Sequence, residues 1–328
     1  MAHAPKLLLA AFDSFKGTFS AREVSAAVAA GARAAGLAAR ALPIADGGEG
    51  TMDALVAAGG GDVREARVED PLGRAVDARF ALLDGGATAV VETAQASGLG
   101  LVAPEERDAW AASTFGTGQL VAAAVAAGAE HVLVSVGGSA TTDGGAGALA
   151  AIEAAGVRPR MTVLCDVTTP WEDAPRVYGP QKGADAIAVG RLERRHDDLA
   201  DRLPNDPRGR PMTGAAGGLS GALWARFDAT LVPGARFVLD RLGFDALLED
   251  AALVVTGEGS LDEQTFAGKA VAEVTSRCAA HGIPCHALVG RSRLSPEGQR
   301  RLGLTGVETA TTLAELRAAG EALARRYR

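Results

Sequence analysis

The sequence is poor in the residues that mark several classes of protein. Aromatic residues make up only 4% of its 328 positions, and cysteine occurs three times, at Cys165, Cys278 and Cys285. Three widely spaced cysteines offer neither a disulfide framework nor metal-site spacing, so we expect a cytoplasmic, reducing environment. No apolar run reaches the roughly 20 residues of a membrane span, so we expect no membrane partner. The N-terminus does not resemble a signal peptide.

Positive charge is also scarce, since the formal net charge is −7. A nucleic-acid-binding surface needs a basic face that displaces counterions, so we expect no nucleic-acid partner. The basic run Arg191, Arg194 and Arg195 predicts a solvated helix face. An anionic small molecule stays compatible with the composition, because a few local cations are enough to bind it.

Glycine is abundant, with 42 residues, and much of it follows a repeated pattern. A short apolar strand runs into a loop of Gly, Asp, Ser and Thr, and an Ala-rich helix follows. Examples are the strands Leu7–Phe12, His131–Val136 and Leu253–Thr256 with the loops after them. Alternating strands and helices predict parallel sheets, in which ligands bind at the carboxyl ends of the strands.

One segment departs from this pattern. The stretches Arg74–Leu83 and Ala87–Thr93, joined by Gly85-Gly86, predict a β-hairpin. At 328 residues two domains are the better expectation. We therefore predict an α/β protein in which residues 1–60 and 245–328 form a discontinuous Rossmann- or flavodoxin-like domain with a parallel sheet. A second α/β domain, residues 61–244, is inserted into it.

The loop Gly137–Gly145 is the strongest candidate for a phosphate site. It follows a strand and precedes a helix, where backbone N–H groups and the helix dipole favour anions. Its hydroxyl side chains add donors, but a tight strand–helix connection would need the same glycines. No standard nucleotide motif supports the interpretation, because Gly268-Lys269-Ala270 lacks the Ser/Thr and the upstream glycine of a P-loop.

Acidic residues and lysines recur at the same strand ends. So many carboxylates at one sheet edge would repel one another unless a cation intervenes, and Mg²⁺ with a nucleotide fits that requirement. Lysine next to glycine is a plausible binder of phosphate or carboxylate, although each such lysine is as well explained as a surface residue. The acids are Asp13, Asp46, Glu49, Asp143, Asp166, Glu258 and Asp262, and the lysines are Lys16, Lys182 and Lys269.

Seven segments occur in an order that resembles the bacterial glycerate kinase family. They cover nearly the whole chain, and each is weak evidence alone. The segments are 13–18 (Asp-Ser-Phe-Lys-Gly-Thr), 45–51 (Ala-Asp-Gly-Gly-Glu-Gly-Thr), 113–118 (Ser-Thr-Phe-Gly-Thr-Gly), 137–145 (Gly-Gly-Ser-Ala-Thr-Thr-Asp-Gly-Gly), 179–184 (Gly-Pro-Gln-Lys-Gly-Ala), 214–219 (Gly-Ala-Ala-Gly-Gly-Leu) and 256–262 (Thr-Gly-Glu-Gly-Ser-Leu-Asp).

The resemblance implies transfer of the γ-phosphoryl group of ATP to a hydroxyl of glycerate, with 2-phosphoglycerate as the expected product. It also implies ATP and Mg²⁺ as cofactors, an active site in the cleft between the two domains, and a homodimer as one possible assembly. Two alternatives stay open at this point. One is a kinase for another small hydroxy or sugar acid, and the other is an inactive relative that binds metabolites.

The site residues follow from these motifs. Asp46 is predicted to orient the attacking hydroxyl or accept its proton, and Lys16 or Lys182 to bind the substrate carboxylate or neutralise the phosphoryl group. The predicted catalytic residues are Asp46, Lys16 and Asp166, and the substrate-binding residues are Asp13, Ser14, Lys182, Gly47 and Gly48. The predicted metal ligands are Asp143 and Asp262, with Asp166 as an alternative. The predicted ATP-binding residues are Thr114, Gly116, Thr117, Gly137, Gly138, Ser139, Thr142, Gly144, Gly145 and Glu258.

Overall fold

The computed structural model describes residues 7–267 and 269–327. Gly268, which belongs to the Gly-Lys-Ala segment considered above, lies outside the described residues. The strands are β1 (Leu7–Phe12), β2 (Ala39–Pro43), β3 (Asp62–Glu69), β4 (Ala75–Leu83), β5 (Thr88–Glu92), β6 (His131–Ser135), β7 (Arg160–Cys165), β8 (Thr230–Pro233), β9 (Ala251–Gly257), β10 (Ser260–Leu261), β11 (Cys285–Val289), β12 (Arg291–Ser292) and β13 (Gly306–Thr309). The helices are α1 (Ala21–Ala34), α2 (Thr51–Gly59), α3 (Thr93–Ser97), α4 (Phe115–Ala126), α5 (Ala146–Ala154), α6 (Ala174–Tyr178), α7 (Ala186–Ala200), α8 (Leu219–Phe227), α9 (Gly234–Arg241), α10 (Phe244–Leu248), α11 (Ala270–Ala280), α12 (Pro296–Arg301) and α13 (Leu313–Tyr327).

The chain divides into two compact units. The terminal unit contains the described residues up to Asp46, the segment Asp53–Ala58 and the described residues from Ala235 onward. The central unit contains Gly47–Met52 and Gly59–Gly234. The predicted α/β fold class, with two units and a parallel-sheet domain, is confirmed. The predicted boundaries near residues 60 and 245, and the location of the active site in a cleft, stay predictions.

The terminal unit is built on a five-stranded parallel sheet in the order β13-β11-β9-β1-β2. Successive side chains of a strand face opposite sides of its sheet. Thus Leu8 of β1 lies in a core with Val28 of α1 and Leu316 of α13, whereas Leu9 lies in another with Val274 of α11. β1 pairs with the next strand of the sequence, β2, on one side and with β9 on the other. The strand order therefore reverses at β1, and sheets of this kind bind ligands at such a reversal.

Two helices of the terminal unit pack through glycine. Gly31 of α1 and Gly320 of α13 leave no room for a side chain, because a Cβ atom at Gly31 would overlap the Arg317 carbonyl and one at Gly320 the Val28 carbonyl. The start of α1 agrees with its sequence signature. Ser20 caps the helix by accepting a bond from the Glu23 N–H, and the Glu23 carboxylate accepts one from the Ser20 N–H.

The central unit is built on a six-stranded sheet in the order β3-β4-β5-β6-β7-β8. Its first three strands pair antiparallel, which confirms the predicted hairpin of β4 and β5, and β5 to β8 are parallel. Its core includes Leu120 of α4, Ile152 of α5 and Leu223 of α8. Within the described residues, no helix is both long and apolar enough to cross a bilayer.

Candidate active site

The carboxyl edge of the terminal sheet holds three buried acids. Asp13 follows β1, Asp46 lies beyond β2, and Glu258 follows β9, and their exposures are 5%, 3% and 8%. They line a pocket of about 470 Å³ together with Ser14, Lys16 and Asp262. The structure thus brings together six residues that the sequence predicted separately, because the ends of parallel strands meet at one edge.

Lys16 and Asp46, both predicted catalytic, lie next to each other in this pocket. The Lys16 Nζ is 4.0 Å from the Asp46 Oδ2, and the Lys16 side chain is 60% exposed while that of Asp46 is buried. An exposed ammonium contributes little to stability through such a pair. It is accessible to an incoming anion, whereas Asp46 is fixed in the wall of the pocket.

Burial and neighbouring negative charges raise the pKa of two acidic residues near Asp46, Asp13 and Glu258. Burial is the main cause that raises the pKa of Asp13 well above its usual range, and the charge of Asp46 adds to it. Lys16 and the Ser14 N–H, which donates to Asp13 Oδ1 at 2.6 Å, act in the opposite direction. Burial likewise raises the pKa of Glu258, against the bond of 2.6 Å that it accepts from Thr265. Both acids therefore favour a cation or a proton near them.

Lys269, Arg291 and Thr311 are among the other residues that line the pocket. The Arg291 Nε donates to Ser260 Oγ at 3.1 Å, and Ser260 Oγ in turn donates to Asp262 Oδ2 at 3.3 Å. Sequence reasoning assigned no role to Arg291 or Thr311. The sequence could have indicated these two residues, because they come just after β11 and β13 and all strands of this parallel sheet end at the same edge.

The central unit carries the other predicted residues, and the loop Gly137–Gly145 is at their centre. The loop leaves β6 and enters α5, and Gly138, Gly144 and Gly145 adopt left-handed backbone with φ of 75°, 65° and 76°. A side chain at Gly145 would also meet Ala222 and Leu219. The glycines of this loop are thus needed for its shape, whatever it binds.

Asp143 organises the end of this loop. Its Oδ2 accepts bonds from the Thr114 N–H, the Thr114 hydroxyl and the Gly147 N–H, and its Oδ1 accepts one from the Gly145 N–H, all between 2.8 and 3.1 Å. A carboxylate has about four acceptor sites. Its predicted role as a metal ligand stays a prediction, and these four bonds compete with it.

Lys182 is a buried cation that binds the same loop. Its Nζ donates to Thr141 O at 2.6 Å and to Ser139 Oγ at 3.0 Å. Burial lowers the pKa of Lys182 to about 8, although Asp143 and Asp166 partly oppose the effect. The predicted contact of Lys182 with substrate stays a prediction. What the structure shows is a lysine bound to the loop.

The remaining predicted residues in the central unit occupy packed positions. Gly116 of α4 abuts the backbone of Glu69, and the Thr117 hydroxyl donates to Ser97 Oγ at 2.8 Å. The carbonyls of Gly47 and Gly48 both accept from Ser135 Oγ at 2.7 Å. Asp166 is half-buried at the end of β7.

The prediction of a solvated face was wrong for one arginine. Arg191 and Arg194 are exposed, but Arg195 is half-buried, and its Nη2 donates to Thr142 O at 2.6 Å. The segment 214–219 also meets the loop, because Gly217 O accepts a bond of 3.0 Å from the Gly144 N–H. Neither contact has a local signal in the sequence, since the partners are far apart along the chain.

Comparisons with known proteins agree on one family. The family model described as the glycerate kinase family matches residues 8–159 and 152–326. A glycerate kinase of Halalkalibacterium halodurans is 38% identical over 317 aligned positions, which cover 85% of this chain and 83% of the relative. A glycerate 2-kinase of Escherichia coli is 37% identical, with 78% of each chain covered. A crystal structure assigned as glycerate kinase 2 from Salmonella typhimurium has a TM-score of 0.83 and 32% identity, and covers 98% of each chain.

The α/β fold, the acidic pocket and these matches define a kinase that acts on a small molecule. More specifically, the chain belongs to the glycerate kinase family.

Proposed function

We propose that this protein transfers the γ-phosphoryl group of ATP to the 2-hydroxyl of glycerate and releases ADP and 2-phosphoglycerate. The observation that carries the proposal is the terminal pocket, in which Lys16 lies 4.0 Å from the buried Asp46 beside Asp13. Phosphoryl transfer depends mainly on positioning and charge neutralisation, and a pocket with a fixed carboxylate and an accessible ammonium supplies both. The name of the Escherichia coli relative supports the 2-position.

In this proposal Asp46 accepts the proton of the glycerate hydroxyl as that oxygen forms its bond to the γ-phosphorus. The bond between the γ-phosphorus and the bridging oxygen breaks, and ADP leaves. Lys16 pairs with the anionic acceptor, and Asp13 and Ser14 help to orient it. The loop Gly137–Gly145 binds the nucleotide phosphates through its N–H groups.

The acidic residues of the terminal pocket fit a divalent cation only if the nucleotide phosphates supply some of its ligands. Among residues 7–267 and 269–327, no group of three or more His, Cys, Asp or Glu side chains is arranged to hold a metal ion. Mg²⁺ commonly uses one or two carboxylates together with phosphate oxygens. Asp262, whose oxygens accept from the Gln264 N–H and Ser260 Oγ, keeps acceptor capacity for it, and so do Asp13 and Glu258. Bound there, Mg²⁺ would neutralise phosphate charge.

The test is phosphorus NMR of the product formed from D-glycerate, ATP and MgCl₂. A phosphoryl group on the 2-oxygen has one proton on the attached carbon and gives a doublet, whereas one on the 3-oxygen has two and gives a triplet. A doublet, with stoichiometric ADP, is expected. A triplet would refute the 2-position. Turnover of another hydroxy acid in preference to glycerate, measured as ADP release across a panel, would refute the substrate.

A further inference from the structure

Arg195 of α7 binds two backbone carbonyls from outside its own helix. Its Nη1 donates to Trp110 O at 2.8 Å, and its Nη2 donates to Thr142 O at 2.6 Å. The guanidinium also lies over the Trp110 ring, with its Cζ 4.6 Å from the ring centroid. The planar guanidinium has little freedom because the Trp110 ring and Trp110 O hold it. Its Nη2 therefore fixes the position of the Thr142 carbonyl.

Lys182 holds the neighbouring peptide in the same way, through Thr141 O at 2.6 Å. In a trans peptide the carbonyl and the next N–H point in opposite directions. The N–H of Thr142 therefore points away from the Lys182 ammonium, and the N–H of Asp143 points away from the Arg195 guanidinium. Neither of these N–H groups donates to any part of the chain that the structure describes, although both residues are buried.

Successive backbone N–H groups without a protein acceptor are suited to bind an anion when the backbone turns them toward one point. Buried N–H groups are rarely left without a partner, so such a pair indicates a ligand. The hydroxyls of Thr141 and Thr142 are also buried and have no partner among the described residues. Four donors on the three consecutive residues Thr141, Thr142 and Asp143 thus await an acceptor, and the two cations set the directions of the two N–H groups among them.

We propose that Arg195 is a positioning residue for the nucleotide phosphates, which acts through the carbonyl of Thr142 and does not touch the ligand. The inference rests on the proposed function, in which this loop binds ATP. Lys182 does the same for Thr141. The positive charge of the pair also offsets the negative charge of Asp143, which lies close enough to act on both.

Arg191 provides a matched control. Arg191 also lies over the Trp110 ring, with its Cζ 4.2 Å from the ring centroid, but its side chain is exposed and makes no hydrogen bond to the loop within the described residues. The experiment compares Arg195→Met, Arg195→Lys and Arg191→Met by steady-state kinetics. We expect the KM for ATP to rise about tenfold to a hundredfold in Arg195→Met, the range for one hydrogen bond from a charged group. Arg195→Lys should recover part of the loss, and Arg191→Met should match the wild type.

The KM for glycerate separates positioning from general damage, and it should change far less than the KM for ATP. Equal rises in both constants, or an ATP KM in Arg195→Met equal to that of Arg191→Met, would overturn the inference. If circular dichroism shows Arg195→Met unfolded, Arg195→Gln takes its place, since its amide is too short to bridge both carbonyls.

Calorimetric titration with ADP shows whether the positioning role of Arg195 or the proposed function is wrong. If the wild type does not phosphorylate glycerate, but ADP binding weakens in Arg195→Met and not in Arg191→Met, the function is refuted and the positioning role stands. If glycerate is phosphorylated and ADP binds Arg195→Met with wild-type affinity, the function stands and the positioning role is refuted.

Discussion

Lys182 should titrate near pH 8, far below an ordinary lysine. Burial lowers its pKa from 10.5 to about 8, which corresponds to about 3 kcal/mol of unfavourable charge burial. Below pH 8 the ammonium is protonated in both the folded and the unfolded chain, and the full cost is present. Between pH 8 and 10.5 the unfolded chain binds more protons than the folded one. The free energy of unfolding should therefore rise by about 1.4 kcal/mol per pH unit in that window.

The chain has only four lysines, Lys6, Lys16, Lys182 and Lys269, so the titration can be observed directly. With ¹³C-labelled lysine, the Cε resonance missing from Lys182→Met identifies Lys182, and its midpoint is the measurement. Urea unfolding of wild type and Lys182→Met from pH 7 to 10.5 gives the second readout. In the difference between the two proteins, the titrations of groups that lie far from Lys182 cancel.

Function should follow the same titration, because deprotonation weakens the bond to Thr141 O that holds the loop. We expect the KM for ATP to increase as the pH rises through about 8, with a smaller change in the KM for glycerate. A Cε midpoint near 10.5, or a flat stability difference between pH 8 and 10, would refute the reasoning that burial dominates the charge of Lys182.

Three further predictions concern the terminal unit. Asp46→Asn should lower kcat about 10²- to 10⁴-fold by removing the proton acceptor. As a control, Asp53→Asn, at an exposed position, should leave kcat unchanged. A near-normal kcat in Asp46→Asn with the fold intact would exclude a catalytic role for Asp46. Asp13→Asn should raise the melting temperature at pH 7 while activity falls. Because burial raises the pKa of Asp13, the free energy of unfolding decreases as soon as the pH exceeds the usual pKa of the carboxylate in the unfolded chain. A lower melting temperature would contradict this. Gly31→Ala should destabilise the protein by about 1–3 kcal/mol because its Cβ meets the Arg317 carbonyl. Gly190→Ala, within α7, should stabilise it by up to about 1 kcal/mol, because the Cβ would meet only Arg194 Nη1 at an ordinary contact distance of 3.9 Å. Equal effects of the two substitutions in urea unfolding would contradict the packing argument.

The strand ends could be predicted from the sequence because the signal is local. An apolar run such as Leu7–Phe12 is buried on both faces of a parallel sheet, and the first polar residue after it must lie at the carboxyl edge. Asp13, Asp46 and Glu258 are placed by that rule alone. The hairpin of β4 and β5 was equally local, since the turn and the two strands adjoin in the sequence.

The supports of the central loop could not be predicted in this way. Thr142 and Arg195 are separated by 53 residues, and Thr141 and Lys182 by 41. Both contacts go to backbone carbonyls, which every residue has, so no side-chain type marks the partner. Arg195 in particular shares its sequence context with the exposed Arg191 and Arg194, and only the packing of α7 against the loop separates their roles.

The acidic residues of the two units differ in how many hydrogen bonds they accept from the protein. This difference indicates which of them are available to bind a cation. Asp143 accepts four bonds from N–H and hydroxyl donors, the arrangement of a carboxylate that fixes a backbone. From the part of the chain that the structure describes, Asp13 accepts one hydrogen bond. Burial and the charges of Asp46 and Glu258 raise its pKa. Crowded, buried carboxylates reduce the stability of the folded state, so their presence at a sheet edge favours a functional reason over a structural one. Among the acidic residues predicted at strand ends, those of the terminal pocket are therefore better candidates than Asp143 for the cation that accompanies the nucleotide.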